Sequence, residues 1–170
     1  MNMAKKIVNK TIQIPKELQV SFQNQNLIIK GNFGKVEKKF PPTLKMTLED
    51  HTISINGDIT NANTAVAHIK NMINGAQKGY SKKLKVLYAH FPISLTLKDK
   101  KIEIKNFLGE RIPRFANIVG DTKVEIKGQE IIVSGPSKED VGQTVANIKL
   151  ATKIKQYDPR VFQDGIYEIE

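Results

Sequence analysis

The sequence predicts an α+β fold made by tandem duplication of a small domain, each copy having antiparallel sheets and one covering helix. Three pairs of similar segments, which recur at an offset of seventy-five to seventy-nine residues, predict this duplication. The offset grows only slightly along the chain, so insertions fall between elements, where folded repeats tolerate them. The pairs are residues 20–40 with 95–115, residues 46–57 with 124–135, and VAHIK from Val66 with VANIK from Val145.

The first pair of segments predicts a β-hairpin in each copy. VSFQNQNLIIKGNFGKVEKKF lies over LTLKDKKIEIKNFLGERIPRF, and apolar residues alternate with polar ones in both. This alternation is the period of a strand with one buried face. It breaks at residues 23–26 and 98–101, where Asn24 and Asp99 supply turn chemistry.

The second pair predicts another hairpin, and the third predicts the covering helix. MTLEDHTISING and VEIKGQEIIVSG alternate in the same way, with turns near Asp50 and Gly128. Around VAHIK and VANIK, apolar residues recur at helical spacing. Ser137 followed by Asp140 is typical of the start of the second helix, and Gly79 is typical of the end of the first.

These elements divide the chain into three predicted parts. Residues 1–80 form a first repeat domain, residues 81–156 form a second, and residues 157–170 form a C-terminal tail without a counterpart in the first copy. The segment YSKKLKVLYAHFP, which begins at Tyr80, joins the copies. We expect it to be a strand that enters the second domain.

The composition is that of a basic globular protein. Among 170 residues there are 27 Lys and Arg against 17 Asp and Glu, a formal charge of +10, which favours an anionic partner such as nucleic acid, an acidic membrane or an acidic protein. The absence of Cys fits a reducing, cytoplasmic compartment. No stretch is apolar over the length of a membrane span, and the first residues lack a signal peptide core, so we expect a soluble, non-secreted protein with no membrane partner.

The sequence offers little for catalysis. His51, His68 and His90 are scattered, and neither a His-Glu-x-x-His nor a Gly-x-Ser-x-Gly motif is present. We therefore expect no catalytic residue, no metal or other cofactor and no small-molecule substrate, and the protein is predicted not to be an enzyme. A small enzyme that uses the cleft between the two copies is a competing hypothesis, which requires titratable groups that converge on one pocket.

Basic residues of the second copy are the first candidates for binding an anionic partner. Lys82, Lys83 and Lys85 form either the solvated face of a strand or a stripe that contacts phosphates. Arg111 and Arg114 occur only in the second copy, on a segment made rigid by proline. A guanidinium group can fork onto phosphates or onto a guanine edge, where lysine offers only a point charge.

The C-terminal segment KIKQYDPRVFQDGIYEIE is the second candidate. Its cations, Lys153, Lys155 and Arg160, alternate with Tyr157 and Phe162. Basic residues beside side chains that stack on bases suit structured RNA. A tail that simply packs on its own domain is an equally good interpretation.

Several long blocks of the sequence resemble one protein family. HIKNMINGAQKGY, KVLYAHFPI, IEIKNFLGERIPR, VGQTVANIKLATKIK and DPRVFQDGIY closely resemble the archaeal and eukaryotic branch of the universal sixth protein of the large ribosomal subunit, over nearly the whole chain. The resemblance implies a structural protein of the cytoplasmic ribosome. It also implies binding to large-subunit rRNA near the base of the factor-binding stalk and the sarcin-ricin loop, with ribosomal proteins of the stalk base as neighbours.

The same resemblance ranks the candidate residues. It implies that Arg160, Phe162 and Gln163 of the tail contact rRNA, with Lys153 and Lys155 leading in. The first hairpin, by contrast, carries an Asn/Gln-rich turn where the family usually has a glycine-rich basic one, so its role stays open. The competing function is a free-standing duplicated module that binds nucleic acid or protein outside the ribosome.

Overall fold

The structure is a computed structural model of the chain. It describes residues 7–88, 90–158 and 160–169. Residues 1–6, which are most of the segment that lacks a signal peptide core, lie outside these ranges. Pro159 of the tail also lies outside them.

The chain forms two compact units. One ends at Gly79 and the other begins at Tyr80. Each unit has antiparallel sheets and one helix, so the predicted α+β fold with a duplicated domain is confirmed. The sequence suggested boundaries after residues 80 and 156, whereas the structure divides the chain once and includes the tail in the second unit.

The first unit contains six strands and one helix. The elements are β1 (Ile7–Gln13), β2 (Gln19–Gln23), β3 (Asn26–Lys30), β4 (Lys35–Lys39), β5 (Lys45–Glu49), β6 (Thr52–Asp58) and α1 (Ile59–Gln77). The strands form two three-stranded sheets, with the orders β1-β6-β5 and β2-β3-β4.

The turns of the first unit lie where the sequence predicted them. Both hairpins pass through left-handed backbone, with φ of 50° at Asn24, 64° at Gln25 and 50° at Asp50. Asn and Asp tolerate this conformation because their short side chains hydrogen-bond locally. Helix α1 is followed by Gly79 at φ 71°, whose N–H donates to the carbonyl of Gly75 at 3.0 Å.

The core of the first unit lies between α1 and its two sheets. The helix packs against β1 and β6 of one sheet and against β3 and β4 of the other. The strand alternation buries Leu27 and Ile29 on β3, and Ile53 and Ile55 on β6. Ile69, in the VAHIK motif, is buried with them on the covering helix.

The second unit repeats this plan and adds a strand. The elements are β7 (Tyr80–Leu87), β8 (Ser94–Lys98), β9 (Lys101–Lys105), β10 (Arg114–Asn117), β11 (Lys123–Lys127), β12 (Glu130–Gly135), α2 (Lys138–Ala151) and β13 (Gly165–Ile169). The strands form two antiparallel sheets, with the orders β10-β9-β8 and β11-β12-β7-β13.

The added strand β13 changes the edge of the larger sheet. In the first unit, β1 occupies the place that β7 has in the second, and β1 is an edge strand. In the second unit the tail returns and pairs with β7, and Ile166 enters the core at 3% exposure. Neither β1 nor β13 was predicted as a strand.

Helix α2 covers the second core and begins at the predicted residue. The hydroxyl of Ser137 accepts a hydrogen bond from the N–H of Asp140 at 3.2 Å. The helix packs against strands of both sheets, β10 in one and β7, β12 and β13 in the other. Val141, Val145 and Ile148 are its buried aliphatic side chains.

Candidate RNA-binding surface

The lysines of β7 lie on two sides of its sheet. Leu84 and Val86 are buried on the side covered by α2. Because side chains alternate along a strand, Lys83 and Lys85 project from the opposite side, where both are exposed. These two cations are accessible to an anionic partner.

Lys82 lies on the helix side of β7 and has an internal partner. Its ammonium group pairs with the carboxylate of Glu168 on β13, and Lys149 of α2 lies 3.6 Å from the same carboxylate. The hydrogen bond from Lys82 is the main cause that lowers the pKa of Glu168, against an opposing effect of burial. Glu168 therefore stays ionised and neutralises part of the positive charge at this edge.

Arg114 makes most of its contacts inside the second unit. Nε and Nη2 donate to the two carboxylate oxygens of Glu110 at 2.7 and 2.5 Å. Nη1 donates to the carbonyls of Ala151 and Lys153 at 2.9 and 3.3 Å, at the C-terminal end of α2. The guanidinium also lies 4.5 Å from the ring centre of Phe107. Its forked geometry thus joins the loop before β10 to the start of the tail.

Arg111 lies on the loop between β9 and β10, which has an unusual backbone. Asn106, Leu108 and Gly109 all have left-handed conformations, with φ of 58°, 51° and 75°. For leucine this conformation is strained, and such strain persists only where the surroundings impose it. The loop exposes Arg111 and the neighbouring Ile112, which is 80% exposed.

The tail between α2 and β13 folds back on the second unit. Asp158 starts a turn in which its carbonyl accepts hydrogen bonds from the N–H groups of Val161 and Phe162 at 3.1 and 2.9 Å. Its carboxylate accepts one from the N–H of Arg160 at 2.9 Å. These contacts leave the side chain of Arg160 exposed.

A buried aspartate fixes the end of this tail. Asp164 is 1% exposed, and its carboxylate oxygens meet His90 at two atoms, Nδ1 at 3.0 Å and the backbone N–H at 3.2 Å. The ring of His90 stacks on that of Phe162 with 4.8 Å between the ring centres, and the ring centres of Phe162 and Tyr157 are 4.7 Å apart. Three rings therefore form one aromatic cluster, of which Tyr157 is 53% exposed.

The remaining tail candidates are on the surface of the second unit. Lys153, Lys155 and Gln163 are exposed. The side-chain amide of Gln163 donates to the backbone carbonyl of Arg160 at 3.5 Å. The backbone carbonyl of Gln163 accepts a hydrogen bond from the hydroxyl of Tyr167 at 3.0 Å. The structure thus joins Gln163 to Arg160 and Tyr157 to Phe162, and it leaves the side chains of Lys153 and Lys155 exposed.

Several residues of this surface were not singled out from the sequence. Asp164 was recognisable only as part of an Asp-Gly turn, and His90 only as one of three scattered histidines. Their pairing joins positions that are 74 residues apart, for which a single sequence carries no signal. From the sequence, Tyr167 is one of several apolar tail residues that favour docking on the domain, and Lys149 is only a residue of the VANIK helix.

A separate charged cluster lies on the β10-β9-β8 sheet. Glu103 is only 5% exposed, and one of its carboxylate oxygens lies 2.9 Å from Nζ of Lys98 and 3.5 Å from Nζ of Lys105. The hydrogen bond from Lys98 is the main cause that lowers the pKa of Glu103. This carboxylate anchors two lysines on the sheet surface.

The described residues contain neither a metal-binding cluster nor a helix able to cross a membrane. Within residues 7–88, 90–158 and 160–169, no group of three or more His, Asp or Glu side chains is arranged to hold a metal ion. Neither helix in these ranges has the length and apolar character needed to cross a membrane.

Comparison with known proteins gives one consistent answer. A family model described as Ribosomal protein L6 matches residues 91–165. The chain is similar to large ribosomal subunit protein uL6 of Methanosarcina mazei, with 42% identity over 97% of this chain and 98% of the relative. It is also similar to uL6 of Thermoplasma volcanium, with 43% identity over 93% of both, and of Methanothrix thermoacetophila, with 41% over 99% of both. Because these alignments cover nearly all of both chains, the chain belongs to the uL6 family of large ribosomal subunit proteins, a structural and non-enzymatic family, as its sequence predicted.

Proposed function

We propose that this protein is a structural constituent of the large ribosomal subunit and binds large-subunit rRNA through its second unit. The observation that carries the proposal is the tail, in which the exposed cations Lys153, Lys155 and Arg160 flank the exposed ring of Tyr157 along the chain. Cations contact phosphates, and an exposed aromatic ring offers a face for an unpaired base. The names of the uL6 relatives support the ribosomal part of the proposal.

The proposal gives the predicted residues different tasks. Lys83, Lys85 and Arg111 join the tail as exposed cations that contact phosphates. Arg114 and Lys82, whose charged groups have internal partners, act by holding the tail and the β7 edge in place. Phe162 and Gln163 contact rRNA from the tail, as the resemblance to the family implies.

The proposed location is the base of the factor-binding stalk, near the sarcin-ricin loop. This part rests on the resemblance of the sequence blocks to the family. There the protein would support the RNA that translational GTPases approach, beside neighbouring ribosomal proteins, in the cytoplasm. No small-molecule substrate or cofactor takes part.

Binding to an rRNA fragment at several salt concentrations tests the proposal. The fragment contains the stalk base and the sarcin-ricin loop, and the variant carries Lys153→Gln, Lys155→Gln and Arg160→Gln. Each lost phosphate contact should lower the slope of log affinity against log salt by about 0.7–0.9, so the triple variant should lose about 2–3 units of slope.

A matched control carries Lys123→Gln and Lys127→Gln on β11, at the opposite edge of the larger sheet. The control should keep most of the slope and affinity. Equal losses in the two variants would contradict the placement of the site. Failure of the unaltered protein to bind the fragment, or to sediment with large subunits at moderate salt, would contradict the ribosomal function and favour a module that acts elsewhere.

A further inference from the structure

A groove lies between the C-terminal end of α2 and the free edge of β13. Its volume is about 470 Å³, within the range of about 300–1,000 Å³ that is usual for small-ligand sites. The wall from β13 and the tail carries Phe162, Ile166 and Tyr167, and the wall from α2 and the residues after it carries Leu150 and Ile154. The groove is therefore mostly apolar, with an aromatic side.

The rim of the groove is positively charged. Lys149 and Lys153 both line it, one in the last turn of α2 and the other just after it. Glu168 lies 3.6 Å from Lys149, but it is also paired with Lys82, so two lysines share this one carboxylate. Lys153 adds a further exposed cation on the same rim.

The walls of the groove are held by internal hydrogen bonds. The hydroxyl of Thr152, which is buried, accepts from the N–H of Ile166 at 3.2 Å and so ties β13 to the end of α2. Arg114 holds the carbonyls of Ala151 and Lys153. The hydroxyl of Tyr167 donates to the backbone carbonyl of Gln163, which holds the tyrosine ring against the tail. The site is thus formed before any ligand arrives, which lowers the entropic cost of binding.

We propose that this groove binds one unstacked nucleotide of single-stranded RNA, with its base against Tyr167 and its phosphates at Lys149 and Lys153. An apolar, aromatic groove with cations at its rim matches a nucleotide, which has a flat face and a charged backbone. Bases that leave a helix are recognised by stacking on aromatic side chains. The inference rests on the proposed RNA-binding function and names the RNA element that the tail recognises.

The test uses the full-length protein and two RNA probes, a hexamer of adenosine nucleotides and an abasic hexamer with the same phosphates. The adenosine hexamer should bind at least about fivefold more tightly, because the abasic chain cannot stack. Equal affinities would overturn the proposal, since they would show that charge alone is recognised.

Two substitutions of Tyr167 separate stacking from positioning. Tyr167→Phe keeps the ring and should stay within about twofold of the unaltered protein, whereas Tyr167→Leu should lose about fivefold or more in affinity for the adenosine hexamer. Tyr88→Leu is the matched control, because Tyr88 is 41% exposed and does not line the groove. If Tyr167→Leu binds as well as Tyr88→Leu, the proposal is wrong.

The cation Lys153 gives an independent readout. Lys153→Gln should lower the salt slope of hexamer binding by about 0.7, the value for one phosphate of a single strand. An unchanged slope would contradict the phosphate contact at the rim. Binding of the large rRNA fragment without any preference for the adenosine hexamer would reject the groove and keep the proposed function. If the fragment itself does not bind, the proposed function fails as well.

Discussion

Arg114 supports the shape of the candidate RNA-binding surface through contacts inside the second unit. Its side chain is 27% exposed, and its guanidinium engages Glu110, the end of α2 and the ring of Phe107. Lysine has one ammonium group and cannot reproduce the two parallel bonds to a carboxylate together with the bond to a carbonyl. The sequence predicted that the guanidinium fork of Arg114 would engage RNA, whereas in the structure the fork engages Glu110 and the carbonyl of Ala151.

Replacing Arg114 by lysine should destabilise the second unit by about 1–2 kcal/mol, because it removes several charge-assisted hydrogen bonds. Urea unfolding followed by far-UV circular dichroism measures this change. Arg111→Lys is the matched control, since Arg111 is exposed on the same loop, and it should change the free energy of unfolding by less than about 0.5 kcal/mol. Equal effects of the two substitutions would show that the contacts of Arg114 contribute nothing particular.

At the scale of elements, β13 decides whether the tail is a separate segment. The strand pairs with β7 over residues 165–169, and Ile166 belongs to the core of the second unit. Truncation after Gln156 would remove this strand, Asp164 and Arg160, and would leave Lys153 and Lys155 in place. A loss of RNA affinity in such a truncated chain would therefore report damage to the fold as well as loss of the site.

A single substitution tests the role of β13 more cleanly. Ile166→Ala should lower the free energy of unfolding of the second unit by about 2–5 kcal/mol, as is usual when a buried isoleucine is truncated. Val161→Ala, at a position that is 62% exposed on the same tail, should cost less than about 0.5 kcal/mol. Hydrogen exchange should show faster opening of β7 in the first variant only. Unchanged exchange at β7 would mean that the tail does not support the sheet.

The elements that the sequence predicted are those with local signals. Hairpin turns at Asn24 and Asp50, and helix ends at Gly79 and Ser137, follow from the chemistry of neighbouring residues. Strands β1 and β13 both lie at sheet edges and are formed by pairing with strands distant in the sequence, and β13 also departs from the alternation of buried and exposed residues. The same reason limits the site: exposed cations were foreseen, while the His90–Asp164 pair was not.

At the scale of the whole molecule, the excess of positive charge sets how the fold responds to acid. The chain has 27 Lys and Arg against 17 Asp and Glu, so protonation of carboxylates leaves the positive charges unopposed. Self-repulsion then disfavours the compact state, and added salt screens this repulsion between exposed groups. The carboxylate of Glu103 is only 5% exposed and is screened less than exposed groups are, so its contribution can be separated from theirs.

Glu103 should account for part of the acid sensitivity of the second unit that salt does not remove. Because Lys98 lowers its pKa, the folded state binds fewer protons than the unfolded state near its usual pKa of about 4.3. Its contribution is therefore complete above that pH and is lost as the pH falls through the lower, folded value.

Urea unfolding between pH 3 and 7 in high salt should show a shallower loss of stability for Glu103→Gln than for the unaltered protein. Glu125→Gln, whose carboxylate is 63% exposed beside Lys127, should keep the original slope. Identical pH profiles for both variants would mean that the pair of lysines around Glu103 does not stabilise the folded state.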